Sequence, residues 1–188
     1  MSELVFLLEE ESARVMLEGL LPRLLPDSIP VRYIVFEGKQ DLEGQLVRRL
    51  RGYRVPDARF VVLRDQDSAD CQRVKEGLLA MCQKAGRNNY LVRIACHEIE
   101  SWYLSDLAAV ERGLGLRNLA DKQGSAKYRS PDQLANAAEE LAKLTDLCYQ
   151  GVGGSRAIAP HLDIGNTRSR SFAVFVAGVK RLAGIGGD

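Results

Sequence analysis

The chain has 188 residues, of which 46% are hydrophobic and 27% are charged, and its formal net charge is +1. This composition is typical of one folded domain, with or without an extension, and excludes a disordered chain or a coiled coil. The near-zero charge gives no overall basic field that would indicate nucleic acid. The longest apolar runs are far shorter than the roughly 20 residues that cross a bilayer, so no membrane partner is expected.

The first half of the chain alternates predicted strands with predicted helices. The apolar run Leu4 to Leu8 indicates a buried strand, and Ser12 is expected to cap the helix that follows. Val31 to Phe36, rich in β-branched and aromatic residues, is a second predicted strand. A helix through Leu42 to Leu50 comes next.

Two further strands follow in the same rhythm. Arg59 to Leu63 is the third predicted strand and leads into Asp65, and the next helix is capped by Asp70 or Ser68. Tyr90 to Cys96 is the fourth. Strands that alternate with helices predict βαβ units and therefore a largely parallel sheet.

After residue 104 the strand signal fades and helical spacing prevails. Leu107 to Leu114 predicts a helix, and Ser130-Pro131-Asp132-Gln133 has the residues of a helix start. Gly151 to Gly154 is expected to break the chain before a last helix that carries Phe172 and Phe175. We therefore expect an α/β domain over residues 1–104, with a four-stranded sheet flanked by helices, and a helical C-terminal region over 105–188 packed on it.

The cysteines show no metal-binding pattern. None of Cys71, Cys82, Cys96 and Cys148 forms a C-x-x-C pair, and only two histidines accompany them, so no zinc signature is present. We interpret all four as small buried apolar residues. Free thiols are typical of a reducing cytoplasm, and the N-terminus has no signal-peptide pattern, so a cytoplasmic location is expected.

Carboxylates follow three of the four predicted strands. They are Glu9, Glu10 and Glu11 after the first strand, Asp65 and Asp67 after the third, and Glu98 and Glu100 after the fourth. Parallel strands end at one edge of a sheet, so these acids should converge there. Crowded carboxylates repel each other, and Mg²⁺ relieves the repulsion because it prefers oxygen ligands. The acids would also suit the positive N-termini of the helices that follow.

Two of these segments carry a family resemblance. Leu8-Glu9-Glu10-Glu11-Ser12-Ala13 resembles the Glu-Gly-x-Ser-Ala/Glu segment of Toprim domains, and Leu63-Arg64-Asp65-Gln66-Asp67 resembles their Asp-x-Asp motif. More narrowly, nearly the whole chain is similar to domain-of-unknown-function family 4276, a Toprim-like group related to overcoming-lysogenisation-defect nucleases. That similarity also includes Gly38-Lys39-x-Asp41-Leu42, Glu98-Ile99-Glu100-Ser101-Trp102-Tyr103-Leu104-Ser105-Asp106 and Asn166-x-Arg168-Ser169-x-Ser171-Phe172.

The resemblance implies a Toprim-like, Rossmann-like fold and a Mg²⁺- or Mn²⁺-dependent nuclease, working with a separate ATPase in defence against phage or plasmids. It gives the catalytic and metal-binding roles to Glu9, Asp65 and Asp67, with Glu9 transferring a proton and the two aspartates holding the metal. Glu100 is a further candidate metal ligand. Glu10 stands where the family has glycine, so the alternative is an inactive regulatory or adaptor subunit.

Other residues are candidates for supporting roles. Lys39, Arg156 and Arg168 are candidate contacts to a nucleic-acid backbone, and they would equally serve as ordinary surface charges. His97 is expected to be hydrogen-bonded to the acidic group, and Trp102 to lie in the core. A third hypothesis is a phosphoacceptor receiver domain, which also places acids after strands one and three. Such a domain needs a hydroxyl residue after the fourth strand, and Cys96 and His97 occupy that place instead.

Overall fold

A computed structural model of the chain describes residues 3–185. In this part of the chain four strands form one parallel sheet in the order β2-β1-β3-β4. The strands are β1 (Leu4–Leu8), β2 (Val31–Val35), β3 (Arg59–Asp65) and β4 (Tyr90–Ala95). Each lies where the sequence predicts it, to within two residues at its end, so the α/β fold with a four-stranded parallel sheet is confirmed.

The strands of the sheet centre are buried on both faces, which explains their continuous apolar runs. In β1, Leu4, Phe6 and Leu8 face one core, whereas Val5 and Leu7 face the other. Helices α1 (Glu11–Leu20), α2 (Lys39–Gly52) and α3 (Cys71–Lys84) connect successive strands. The core that contains Val5 and Leu7 lies under α2 and α3, and α1 packs on the opposite face.

The second half of the chain adds helices to the face covered by α1. They are α4 (Glu100–Leu104), α5 (Leu107–Leu114), α6 (Ala137–Leu144), α7 (Gly151–Ile158) and α8 (Arg170–Ala183). Trp102 is fully buried there, with ring centroids 5.3 Å from Phe172 and 5.0 Å from Phe175, which confirms its core position. No helix within residues 3–185 is long and apolar enough to span a membrane.

The expectation that Gly151 to Gly154 breaks the chain is wrong, because these residues form the first turn of α7. Gly154 packs against the ring of Tyr149, where a Cβ would overlap the ring atoms. Gly154 therefore permits close packing of this helix start against Tyr149. A helix start at Ser130 is also wrong, since residues 131–133 form only a 3₁₀ turn and α6 begins at Ala137.

Two expectations about single side chains are also corrected. Ser12 does not cap α1, since its hydroxyl donates a hydrogen bond to the Glu10 carboxylate, whereas Asp70 caps α3 as expected by accepting from the Arg73 N–H. Among the cysteines only Cys82 is buried. Cys71 and Cys96 are half-buried, and Cys148 is exposed, so the interpretation of all four as buried is wrong. Cys148 is exposed because it lies in the turn after α6.

Candidate functional site

The segments that leave all four strands meet at the carboxyl edge of the sheet. Backbone hydrogen bonds tie them together: Gly38 N–H donates to the Glu9 carbonyl at 3.0 Å, and Gln66 N–H donates to the Ala95 carbonyl at 3.0 Å. Asp67 N–H donates to the carbonyl of His97 at 2.8 Å. The predicted acids are therefore carried by loops that are fixed to one another.

Asp65, the last residue of β3, is the centre of this edge. Burial raises the pKa of its carboxyl well above the usual value, and repulsion from four neighbouring carboxylates raises it further. In order of decreasing effect these are Glu100, Glu9, Glu10 and Asp67. No hydrogen bond or ion pair to the Asp65 side chain is found within residues 3–185. No cationic side chain in this part of the chain therefore offsets the charge of the Asp65 carboxylate.

Glu9 directly follows β1, and its side chain contacts the end of β3. Its Oε2 accepts a hydrogen bond of 3.3 Å from the Asp65 N–H and lies 3.8 Å from Arg64 Nε. Burial nevertheless raises the pKa of the Glu9 carboxyl, because it outweighs these two favourable contacts. Arg64 Nη1 pairs with Glu43, while its buried Nε has no hydrogen-bond partner in the described part of the chain.

Asp67 is contacted through both its side chain and its backbone. Its carboxylate forms an ion pair with Lys39 Nζ at 2.8 Å, and both side chains remain solvent-accessible. Its backbone is left-handed, with φ +55°, and its carbonyl lies 3.0 Å from Nδ1 of His97. His97 therefore contacts the backbone of the acidic loop.

Glu100, at the start of α4, approaches the edge from the helical region. Its Oε1 accepts a hydrogen bond of 2.6 Å from the Tyr149 hydroxyl, and burial raises the pKa of its carboxyl. Glu98 is arranged differently, because its Oε2 accepts a hydrogen bond of 2.7 Å from the Ala138 N–H at the start of α6. Glu98 therefore caps the start of α6. Glu100 instead lies close enough to Asp65 for its charge to raise the pKa of Asp65.

The candidate basic residues are spread more widely. Lys39 reaches the acidic edge through Asp67. Arg156 is exposed on α7, and its charge helps to lower the pKa of Glu11, after the larger effect of Arg14. Arg168 is exposed in the loop before α8 and has no ion pair in the described residues.

Sequence reasoning did not find three residues around this site. Arg64 could have been noticed, because a charged residue within a buried strand must find a partner. Tyr149 and Tyr103 give no such signal. The Tyr103 hydroxyl is buried and has no hydrogen-bond partner in the described chain. Burial raises its pKa, and the nearby charge of Glu100 raises it further.

The ligand chemistry of this edge fits a hard divalent cation, because all the candidate donors are carboxylates and the half-buried Asp65 pairs with no cationic side chain in residues 3–185. The side chains are not gathered around one point, however. Within residues 3–185 no three histidine, cysteine, aspartate or glutamate side chains are placed to hold a metal ion together. Glu9, Asp67 and Glu100 are each engaged with a partner instead.

Known proteins resemble this chain in sequence and in fold. Residues 8–180 match the model of a family described as a domain of unknown function, DUF4276. The structure is similar to that of the C-terminal region of the Burkholderia pseudomallei OLD protein, with a TM-score of 0.58 and 14% identity over 97% of this chain and 99% of that chain. For the same region of the Xanthomonas campestris pv. campestris OLD protein the TM-score is 0.47, with 17% identity over 97% of each chain. No curated protein matches the sequence.

Proposed function

The chain belongs to the DUF4276 family, and we propose that it hydrolyses phosphodiester bonds in nucleic acid with the help of Mg²⁺ or Mn²⁺. The observation that carries this proposal is the half-buried carboxyl of Asp65: desolvation and four neighbouring acids raise its pKa, and it pairs with no cationic side chain in the described residues. Such an arrangement is costly unless a cation joins it or a proton is retained. The similarity to the OLD region supports the fold, and the acidic edge supports the reaction.

Asp65 and Asp67 are the residues that would hold the metal, together with Glu9 and Glu100. A divalent cation bound there would neutralise the phosphate and lower the pKa of a water molecule. For Asp67 to take part, its ion pair with Lys39 has to open. Lys39 Nζ would then form an ion pair with a phosphate oxygen in place of the Asp67 carboxylate.

Glu9 is suited to proton transfer. Burial raises the pKa of its carboxyl above the usual value, and a raised pKa makes a carboxylate a stronger base for taking a proton. The Asp65 N–H holds Oε2 of Glu9, which fixes the orientation of the side chain. Glu9 would take the proton from the attacking water or give it to the leaving oxygen.

A second function, that of a regulatory or adaptor subunit without activity, is favoured by two observations. The ion pair between Lys39 and Asp67 already satisfies one candidate ligand. Glu10, in a position where Toprim domains carry glycine, adds a further negative charge close to Asp65. If these features are permanent, the edge binds no metal and the fold serves another chain.

A separate ATPase as partner, and a role in defence against phage or plasmids, belong to the same proposal. They rest on the sequence resemblance. A neighbouring gene that encodes an ATPase would support them, and plasmid cleavage that depends on that ATPase and on ATP would test them.

The central experiment measures cleavage of supercoiled plasmid by the full chain in Mg²⁺ or Mn²⁺. Glu9→Gln, Asp65→Asn and Asp67→Asn should each abolish cleavage, because each removes a carboxylate but preserves side-chain size. Glu139→Gln is the matched control, since Glu139 is an exposed acid on α6 paired with Lys143.

Calorimetric titration with Mg²⁺ and Mn²⁺ separates the two functions. Metal binding that Asp65→Asn abolishes supports the nuclease. The absence of binding to the wild type, together with no cleavage, would favour the adaptor. Cleavage that persists in all three variants would contradict the site.

A further inference from the structure

A cleft of about 1010 Å³ opens beside β4, next to the loop that carries Asp67. Its walls come from the start of α3, from β4 and from the start of α8. Two of the cysteines, Cys71 and Cys96, line it together. The proposed reaction uses neither of them.

The two cysteines are close because the backbone brings their segments together. Cys71 is the first residue of α3, and Cys96 directly follows β4. The hydrogen bonds from Gln66 N–H to the Ala95 carbonyl and from Asp67 N–H to the His97 carbonyl join these segments at 3.0 and 2.8 Å.

The two thiols border the same cleft, and Cys71 is one of the neighbours that influence the Cys96 thiol. Burial raises the pKa of Cys96 to about 11, and the neighbouring Cys71 raises it further through its charge and its hydrogen bond. Both side chains are only half-buried, and both border the cleft, so a small oxidant can reach them. The raised pKa of Cys96 keeps its thiol protonated and makes it a poor nucleophile, so the first attack on the oxidant is assigned to Cys71.

We propose that Cys71 and Cys96 are a reversible modification site that forms an intramolecular disulfide in the presence of hydrogen peroxide. The Cys71 sulfur attacks the peroxide, gives sulfenic acid and releases one water molecule. The Cys96 sulfur then displaces the hydroxyl group from the sulfenic acid, forming the S–S bond and releasing a second water molecule. The two thiols lose two electrons and two protons in total, and the peroxide is reduced to water.

The bond would connect the start of α3 to the end of β4. The Asp67 loop immediately precedes α3 and is hydrogen-bonded to the segment after β4. A disulfide between these two segments would therefore reduce the mobility of the loop. The inference does not depend on the proposed hydrolysis, because it concerns only the two thiols and the cleft they border.

The other two cysteines provide internal controls. Cys82 is fully buried within the core under α3, and Cys148 is exposed after α6. A peroxide that acts only according to exposure would modify Cys148 first. A peroxide that acts at the paired thiols would oxidise Cys71 and Cys96 together.

The test uses the reduced full chain, treated with hydrogen peroxide and then with an alkylating reagent. Trypsin cleaves after Arg64, Arg73 and Arg93, so Cys71 and Cys96 fall in separate peptides that only a disulfide can join. We expect the joined peptide to appear, the intact chain to lose two hydrogens, and dithiothreitol to reverse both changes. Cys71→Ser and Cys96→Ser should each eliminate the joined peptide, whereas Cys148→Ser should retain it.

The wild-type peptide map decides the matter even if a serine variant fails to fold. Alkylation of both Cys71 and Cys96 after a peroxide treatment that oxidises Cys148 would overturn the proposal. So would accumulation of sulfinic acid at Cys71 with no joined peptide.

Discussion

Tyr149 donates a hydrogen bond of 2.6 Å to Glu100 across the boundary between the helical region and the sheet edge. The two residues are 49 positions apart, and both are buried. This bond partly offsets the burial that raises the pKa of Glu100. Tyr149 therefore fixes the position of the Glu100 carboxylate and favours its charged form. Glu100 is in turn the neighbouring charge that most affects Asp65.

Replacing Tyr149 with phenylalanine should weaken the protein and the site together. The loss of a buried hydrogen bond to a carboxylate costs about 1–3 kcal/mol of unfolding free energy, measured by urea denaturation. The pKa of Glu100 should rise further, so Mg²⁺ affinity at neutral pH should fall. Tyr128→Phe is the matched control, because the Tyr128 hydroxyl has no hydrogen bond in the described chain. Equal losses in the two variants would contradict the role of Tyr149.

Gly154→Ala tests the packing that positions Tyr149. A Cβ at residue 154 overlaps the Tyr149 ring, so the ring has to move and we expect destabilisation by about 1–3 kcal/mol. Gly153→Ala is a close control, because a Cβ at that position meets no atom within 4 Å. Alanine there should stabilise α7 by about 0.5–1 kcal/mol. Thermal unfolding of both variants would show shifts of opposite sign if the packing is as described.

Lys39→Ala should separate stability from metal binding. The ion pair between Lys39 and Asp67 is solvent-accessible, so its loss should change the unfolding free energy by no more than about 1 kcal/mol. Mg²⁺ affinity should increase, because Asp67 is no longer paired. Plasmid cleavage should decrease if Lys39 contacts phosphate. Lys143→Ala removes a comparable exposed pair with Glu139 and should leave binding and cleavage unchanged.

The sequence predicts the sheet well because burial on both faces leaves a clear mark. Runs such as Leu4 to Leu8 must be apolar, and the parallel arrangement then requires their ends to share an edge. That reasoning places Glu9 and Asp65 correctly at this edge. Whether they bind metal stays a prediction.

The partners of these acids are less accessible to sequence reasoning. The contacts of Tyr149 and Lys39 depend on packing between segments far apart in the chain, and no local pattern encodes them. The helix start expected at Ser130 is wrong for a similar reason. The carboxylate of Asp132 accepts hydrogen bonds from the hydroxyl of Ser169 and the N–H of Ser171, a distant segment that fixes its direction.

The strongest test of the acidic edge is the pH dependence of Asp65→Asn without metal. The folded-state pKa of Asp65 is raised above its usual value of 3.8, so the folded protein retains a proton that the unfolded chain releases. Stability contributed by that proton is complete below about pH 4 and is lost as the pH rises toward the folded-state pKa. Asparagine has no such loss.

In EDTA, therefore, Asp65→Asn should match the wild type in unfolding free energy near pH 4 and exceed it at pH 7, because only the wild type loses the stability contributed by the retained proton. Urea denaturation across this range measures the difference. Saturating Mg²⁺ should reverse the order, since a ligand that binds only the folded wild type stabilises it. Asp121→Asn, at an exposed position without a hydrogen bond in the described chain, should follow the wild type throughout. A variant at residue 65 that is less stable than the wild type at pH 7 in EDTA would show that Asp65 already has its countercharge.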